Sequence, residues 1–185
     1  SEAPNNRIVK VDSSNPRQEN WVDLIPETDM VMTATTAGKK IFAFYLEDAK
    51  TKVSQFNRKG ELEREVELPG IGTAGGFGGL EDDQEVYYSF TSFTSPSSIY
   101  SYNIGSGIST LYERPEIDFD PDNYETKQVF YESKDGTKVP MFIVYKKGTE
   151  LNGKNPTYLY GYGGFNISLG PSFSTTRLVW LENGG

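Results

Sequence analysis

Short stretches rich in β-branched and aromatic residues recur between residues 7 and 112, and turn-forming residues separate them. Residues 29–36 and 40–46 flank Ala37-Gly38-Lys39, which predicts a hairpin. The other strand candidates are residues 7–11, 53–57, 62–68, 85–93, 98–103 and 108–112. Runs of this length and composition are typical of strands, and no helical period accompanies them. This part of the chain is therefore predicted to form about seven or eight strands.

Two stretches of this region can be laid over each other. Residues 40–68 and 85–113 share an order of apolar strand, tight turn, aromatic strand, turn and charged strand. The repeat of roughly 45 residues is the length of one four-stranded blade of a β-propeller. A β-sandwich gives similar strand spacing, so on these residues alone both architectures remain open.

The sequence changes in character after an acidic, proline-containing stretch at residues 114–122, which is typical of a domain boundary. Residues 127–132 and 139–146 then predict a hairpin around an Asp-Gly turn. Residues 156–160 predict a strand that leads into a glycine-rich turn, and residues 171–182 predict a helix. A strand, a glycine turn and a helix in this order indicate the beginning of an α/β domain.

Composition excludes several kinds of site. The chain of 185 residues contains no histidine and no cysteine. It therefore has no disulfide, no cysteine nucleophile and no histidine to act as a general base or a metal ligand. A formal net charge of −8 argues against binding to a phosphate backbone, and no apolar run is long enough to span a membrane. The absence of cysteine fits the cytoplasm and the periplasm equally, so the compartment stays open.

Residues 70–75 match the letters of the dinucleotide-binding fingerprint G-x-G-x-x-G. That site needs a buried strand before the glycines and a helix after them, whose N-terminus meets the pyrophosphate. Here Pro69 precedes the motif and three further glycines fall within residues 76–79, which disfavours a helix. We therefore interpret the motif as a loop between strands and expect no nucleotide cofactor.

The glycine-rich turn that contains Tyr162 is a candidate catalytic segment. In α/β-hydrolases the loop after the third strand supplies one donor of the oxyanion hole. A tyrosine hydroxyl keeps its proton at neutral pH and can serve as such a donor, while glycines allow close approach of the backbone. Judged by spacing alone, an ordinary tight turn with a packed aromatic ring is the more frequent outcome.

Three stretches carry a resemblance to a known family. They are SFTSFTSPSSIYSY at residues 89–102, YESKDGTKVPMFIVYKKG at 131–148 and PTYLYGYGGFNIS at 156–168. With them the chain resembles the prolyl oligopeptidases, serine peptidases that cut short peptides after proline. The letters Gly163-Gly164-Phe165 favour the proline-specific branch over related oligopeptidases that cut after basic residues.

The resemblance implies a fold of mixed class. Residues 1–118 would be the C-terminal part of a β-propeller with antiparallel four-stranded blades, and residues 119–185 the first strands of an α/β-hydrolase domain. It also implies roles for two residues: Tyr162 as the side-chain donor to the oxyanion, and Phe165 as part of the apolar pocket for the substrate proline. No metal or other cofactor is implied. The implied partners are short proline-containing peptides, with no nucleic acid and no membrane, and the implied enzyme is a monomer.

The resemblance places the nucleophilic serine, the acid and the histidine beyond residue 185. We therefore expect the chain to be an internal piece of a larger enzyme and to have no peptidase activity alone. Two alternatives remain: a non-catalytic propeller or sandwich module that binds a partner, and a related oligopeptidase of another specificity. A downstream serine elbow, followed by an aspartate and a histidine, would discriminate the enzyme from the binding module.

Overall fold

The computed structural model describes residues 3–185, and within that range the chain forms twelve β-strands and one α-helix. The strands are β1 (Ile8–Lys10), β2 (Val22–Ile25), β3 (Met32–Ala37), β4 (Lys40–Glu47), β5 (Lys50–Asn57), β6 (Leu62–Glu65), β7 (Thr73–Gly76), β8 (Glu85–Thr91), β9 (Ser98–Asn103), β10 (Ser109–Glu113), β11 (Tyr124–Glu132) and β12 (Lys138–Lys146), and the helix is α1 (Thr175–Glu182). The sequence pattern predicts eight of the first ten strands and misses β2 and β7.

Strands β3–β6 and β7–β10 form two four-stranded antiparallel sheets, in which each strand pairs with its neighbour in sequence. We call them the first blade and the second blade. Strands β4 and β8 begin at Lys40 and Glu85, which places them 45 residues apart. The predicted four-stranded repeat is therefore confirmed.

The sheets stack in series along the chain. The second blade packs against one face of the first blade. The opposite face of the first blade carries a second cluster, in which Ile25 of β2 packs with Met32, Ile41 and Tyr45. Ile8 of β1 packs against the same cluster. A two-layered sandwich would leave one face of each sheet outside the core, whereas here the first blade is covered on both faces. This serial stacking is the arrangement of propeller blades.

The contact between the two blades is an aromatic core centred on Phe77. The Phe77 ring stacks on Tyr88 with a centroid distance of 4.4 Å and on Phe42 at 5.2 Å. Tyr102 meets it edge-on at 5.4 Å. All four residues are at most 1% exposed. Offset and edge-to-face pairs of this kind add to the free energy gained from burying the rings.

One buried amide crosses the aromatic core. Gln55 of the first blade is 1% exposed, and its side-chain oxygen accepts a 2.8 Å hydrogen bond from the Tyr102 hydroxyl of the second blade. Its amide nitrogen donates to the Glu63 carboxylate at 2.9 Å and to the Ile104 carbonyl at 3.3 Å. Lys40 donates to the other oxygen of Glu63. The burial of Gln55 is thus compensated by hydrogen bonds on both sides of its amide.

Stability should depend on pH through Glu63. Burial on its own raises the pKa of this carboxyl, but the hydrogen bonds from Gln55 and Lys40 outweigh it, so the pKa lies below its ordinary value. Because the folded state lowers the pKa, the contribution of Glu63 is present above its unfolded pKa and is lost as pH falls through the folded pKa. We expect urea unfolding to show a smaller loss of stability below about pH 4.5 in Glu63→Gln than in the wild type.

The matched control for that prediction is Glu116→Gln, because Glu116 is exposed in the stretch between β10 and β11. Glu116→Gln should lose as much stability at acid pH as the wild type does. If the loss of stability at acid pH became equally small in both variants, the role given to Glu63 would be contradicted.

Strand β7 corrects the interpretation of residues 70–75 as a loop: residues 73–75 belong to the strand, while residues 70–72 precede it. Thr73–Gly76 pairs with β8, with Gly76 opposite Tyr88. A Cβ at Gly76 would lie 2.8 Å from the Tyr87 carbonyl oxygen, and one at Gly72 would lie 2.3 Å from the Phe90 ring. Glycine at these positions allows the close approach of backbone and rings, which is one reason a strand contains glycine despite its low propensity.

Beyond the blades, β11 and β12 form the predicted hairpin around the Asp135-Gly136 turn. The predicted helix is present as α1 but begins at Thr175, four residues after Pro171. Ser174 at its N-cap is still extended, and Asn183 ends it, as the sequence predicts. Among residues 3–185, no helix has both the length and the apolar character needed to cross a membrane.

Candidate active site

Residues 156–165 run without strand pairing between β12 and α1. The predicted strand at residues 156–160 is therefore wrong for the part of the chain that the structure describes. The rings of Tyr158 and Tyr160 lie 6.3 Å apart and nearly parallel, and Trp180 of α1 lies 6.4 Å from Tyr158. A strand needs a neighbouring strand to satisfy its backbone, and residues 3–185 supply none here.

The glycine-rich turn is tight and contains several left-handed residues. Gly163 has φ +77°, and the next left-handed residues are Phe165 at +53° and Asn166 at +57°. The Ile167 amide closes the turn by donating to the Gly164 carbonyl at 3.0 Å. A positive φ costs a residue with a side chain roughly 1–2 kcal/mol, and it is rare for a ring as large as that of Phe165. Such strain is concentrated at functional sites.

Tyr162 presents its ring and hydroxyl at the start of this turn. Its side chain is 54% exposed. A Cβ at Gly164 would lie 3.4 Å from Tyr162 Cε1 and 3.8 Å from its hydroxyl oxygen, so the ring lies beside the backbone of Gly164. Within residues 3–185 the hydroxyl donates no hydrogen bond. Tyr162 is thus a half-exposed ring beside Gly164 whose hydroxyl has no hydrogen-bond partner among residues 3–185.

Phe165 is the most exposed large apolar side chain of the described residues, at 92%. It lies three positions after Tyr162, on the same turn. The neighbouring Leu159, at 80%, and Ile167, at 53%, are exposed as well. Large apolar side chains exposed on one segment indicate a segment that another molecule or another part of the protein can cover. Sequence reasoning selects Tyr162 and Phe165 but gives no signal for Trp180, whose contact with Tyr158 spans the turn.

A separate groove of about 360 Å³ lies between strands β3–β5 of the first blade and β7 of the second blade. Thr33 of β3, Leu46 of β4 and Gly75 of β7 are among the residues that line it. No group of acidic side chains within residues 3–185 is arranged to hold a metal ion.

Comparison with known proteins gives one family. A model of the N-terminal β-propeller domain of prolyl oligopeptidase matches residues 1–115. The prolyl endopeptidase of Elizabethkingia miricola is 51% identical over 183 residues, which is 99% of this chain and 26% of that protein. The prolyl endopeptidase of Dictyostelium discoideum is 34% identical over 97% of this chain and 25% of its own length. The chain thus spans about a quarter of the length of these relatives.

Solved structures agree with the sequence comparison. One prolyl endopeptidase, from a study of inter-domain dynamics in catalysis and specificity, superposes with a TM-score of 0.90 and 41% identity over 100% of this chain and 28% of its own. Prolyl oligopeptidase B from Galerina marginata, without ligand, superposes with a TM-score of 0.84 and 28% identity over 98% of this chain and 27% of its own. The serial blades and the segment that follows them both fall within these matches.

Proposed function

The chain belongs to the prolyl oligopeptidase family, and from that premise we propose that it forms part of a serine-type endopeptidase that hydrolyses short peptides on the C-terminal side of proline. The observation that carries the proposal is the 51% identity to a prolyl endopeptidase over 99% of the chain. In this proposal the general base is a histidine, as in the Ser-His-Asp arrangement, and these 185 residues contain none.

In the proposed enzyme, residues 1–118 are blades of the propeller and residues 119–185 are the first strands of the α/β-hydrolase domain. The change from serial blades to the hairpin β11–β12 and the helix α1 supports this division. The blades act as a filter that admits only short, flexible peptides to the site.

Tyr162 is the side-chain donor to the oxyanion in this proposal. When a serine attacks the carbonyl carbon of the scissile bond, negative charge develops on the carbonyl oxygen. A hydrogen bond that strengthens as this charge develops lowers the barrier more than it stabilises the bound substrate. The 54% exposure of Tyr162, whose hydroxyl makes no hydrogen bond to the described residues, supports this role.

Phe165 lines the pocket for the substrate proline in the same proposal. A flat apolar ring gains contact area against the flat face of a pyrrolidine ring. The 92% exposure of Phe165 and its left-handed backbone support the role, because burial by a ligand would compensate for both.

Substrate preference tests the proposal. We expect the full-length protein to hydrolyse peptide anilides with proline before the cut, with kcat/KM roughly 10- to 100-fold above that for alanine, because an apolar pocket discriminates by about this much. The chain of 185 residues alone should release no anilide. Faster hydrolysis after arginine would instead favour a related oligopeptidase, and no hydrolysis of any of the three would favour a binding module.

The variant Phe165→Ala tests the pocket within the same assay. It should reduce the preference for proline over alanine. Phe130→Ala is the matched control, since Phe130 is another exposed phenylalanine, at 50%, but lies on β11. An unchanged preference in Phe165→Ala would contradict the assignment.

A further inference from the structure

Four residues gather at one end of the two blades: Asp48 and Ala49 in the turn between β4 and β5, Thr73 at the start of β7, and Phe93 just after β8. We call them the blade-end platform. They share one end because the Thr51 amide donates to the Gly72 carbonyl at 3.1 Å and Thr73 pairs with Thr91. Two separate parts of the chain beyond residue 118 dock on this platform.

The first contact comes from the hairpin β11–β12. The side-chain amide of Gln128 donates to the Asp48 carbonyl at 2.6 Å and accepts from Lys50 Nζ at 3.0 Å. The ring of Phe142 lies 5.3 Å from that of Phe93. The hairpin is thus fixed to the platform by hydrogen bonds at one point and by an aromatic pair at another.

The second contact comes from the segment before α1. The Thr73 hydroxyl donates to the Pro171 carbonyl at 2.7 Å, and Pro171 is less than 2% exposed. A Cβ at Gly170 would lie 3.1 Å from the Ala49 carbonyl oxygen, so the backbone there touches the platform directly. The Arg177 guanidinium of α1 lies 5.9 Å from the centre of the Phe93 ring, within the range of a cation–π contact.

These two contacts bracket residues 147–170, the stretch that carries Tyr162 and Phe165 without strand pairing of its own. We propose that the blade-end platform is a latch that positions the Tyr162 turn, with Thr73 and Gln128 as positioning residues. Thr73 holds the C-terminal end of the stretch through Pro171, and Gln128 holds the hairpin from which the stretch leaves. The docking is independent of the proposed function, while the effect on catalysis rests on it.

Docking is tested first by hydrogen exchange on the full-length protein. The amides of Leu178 and Asn183 donate to the carbonyls of Ser174 and Val179 within α1 and report its docking. Thr73→Val removes the donor to the buried Pro171 carbonyl, so exchange of both amides should accelerate about tenfold, and more when combined with Gln128→Leu. Thr73→Ser keeps the hydroxyl and should restore slow exchange. Thr110→Val, the same change on the exposed strand β10, should have no effect.

Catalysis is tested second, with the same variants and a proline anilide. If the latch positions Tyr162, Thr73→Val should lower kcat several-fold with little change in KM, and Thr73→Ser should recover it. Exchange in Thr73→Val equal to that of the wild type would overturn the latch, whatever the activity. Faster exchange with unchanged kcat in an active enzyme would overturn the positioning role. If the full-length protein had no prolyl activity, the proposed function would be contradicted. The exchange measurement would still decide whether the segment docks on the platform.

Discussion

Replacing Tyr162 with phenylalanine should lower kcat of the proposed full-length peptidase by about 100- to 1000-fold while KM changes little. The substitution removes one oxygen and leaves a ring of nearly the same shape beside Gly164. Since the hydroxyl bonds to none of the residues 3–185, its loss leaves none of their groups unpaired. The effect should therefore fall on the transition state, and steady-state kinetics with a proline anilide measure it.

Tyr160→Phe is the matched control for this variant. Tyr160 lies on the same segment, is 61% exposed and has no role in the proposal. It should retain the wild-type kcat. A Tyr162→Phe enzyme within twofold of the wild type, or an equal loss in Tyr160→Phe, would remove Tyr162 from the mechanism.

Truncating Phe77 to alanine should lower the free energy of unfolding by about 3–5 kcal/mol, because it opens a cavity among Phe42, Tyr88 and Tyr102. Phe77 is 0% exposed, and its backbone is left-handed, with φ +59°. Alanine keeps the backbone strain, whereas glycine relieves it. We therefore expect Phe77→Gly to be no less stable than Phe77→Ala, although glycine is ordinarily the less stable of the two in a regular element. Urea unfolding of the three proteins measures both differences.

Phe130→Ala serves as the control here as well. Phe130 is 50% exposed on the hairpin, so its truncation should cost far less than that of Phe77. A Phe77→Ala protein that loses no more stability than Phe130→Ala would show that the contact between the blades contributes little to stability.

The strands of the blades could be predicted where the sequence itself carries the signal. Strand β9 lies at residues 98–103, as the alternation indicates, and β4 extends one residue beyond its predicted end. In both, aromatic and β-branched residues alternate between two faces, and the periodicity of two is a local property. The hairpin β11–β12 carries an equally local signal in its Asp-Gly turn.

Two errors have the same physical origin. Residues 73–76 have a composition that disfavours strands and yet pair with β8, whereas residues 156–160 have the composition of a strand and pair with nothing in residues 3–185. Pairing depends on what lies beside a segment in space, which propensity does not report. Gly76 of β7 reflects the closeness of the Tyr87 backbone, and Gly72 just before the strand reflects the closeness of the Phe90 ring, both more than ten positions away.

The candidate site was accessible to sequence reasoning only in part. The motif around Gly161–Gly164 selects Tyr162 and Phe165, because glycines allow a substrate to approach the backbone and a tyrosine hydroxyl can donate to an oxyanion. Nothing near Thr73 or Pro171 indicates that their side chain and carbonyl bond to each other across 98 positions of sequence. The residues proposed to act in chemistry are thus visible in the sequence, while those proposed to hold them in place are visible only in the fold.

The strict pairing of each strand with its neighbour in sequence also bears on how the chain folds. The turns within a blade are short, so closing them costs little entropy, and a blade can assemble from its own residues. During synthesis from the N-terminus, we expect the first blade to form before the ribosome has released the second. Until then Phe42 faces water, because the Phe77 ring that covers it belongs to the next blade. The nascent chain therefore carries an apolar face that a chaperone can bind, and the arrival of each blade covers the face left open by the one before it.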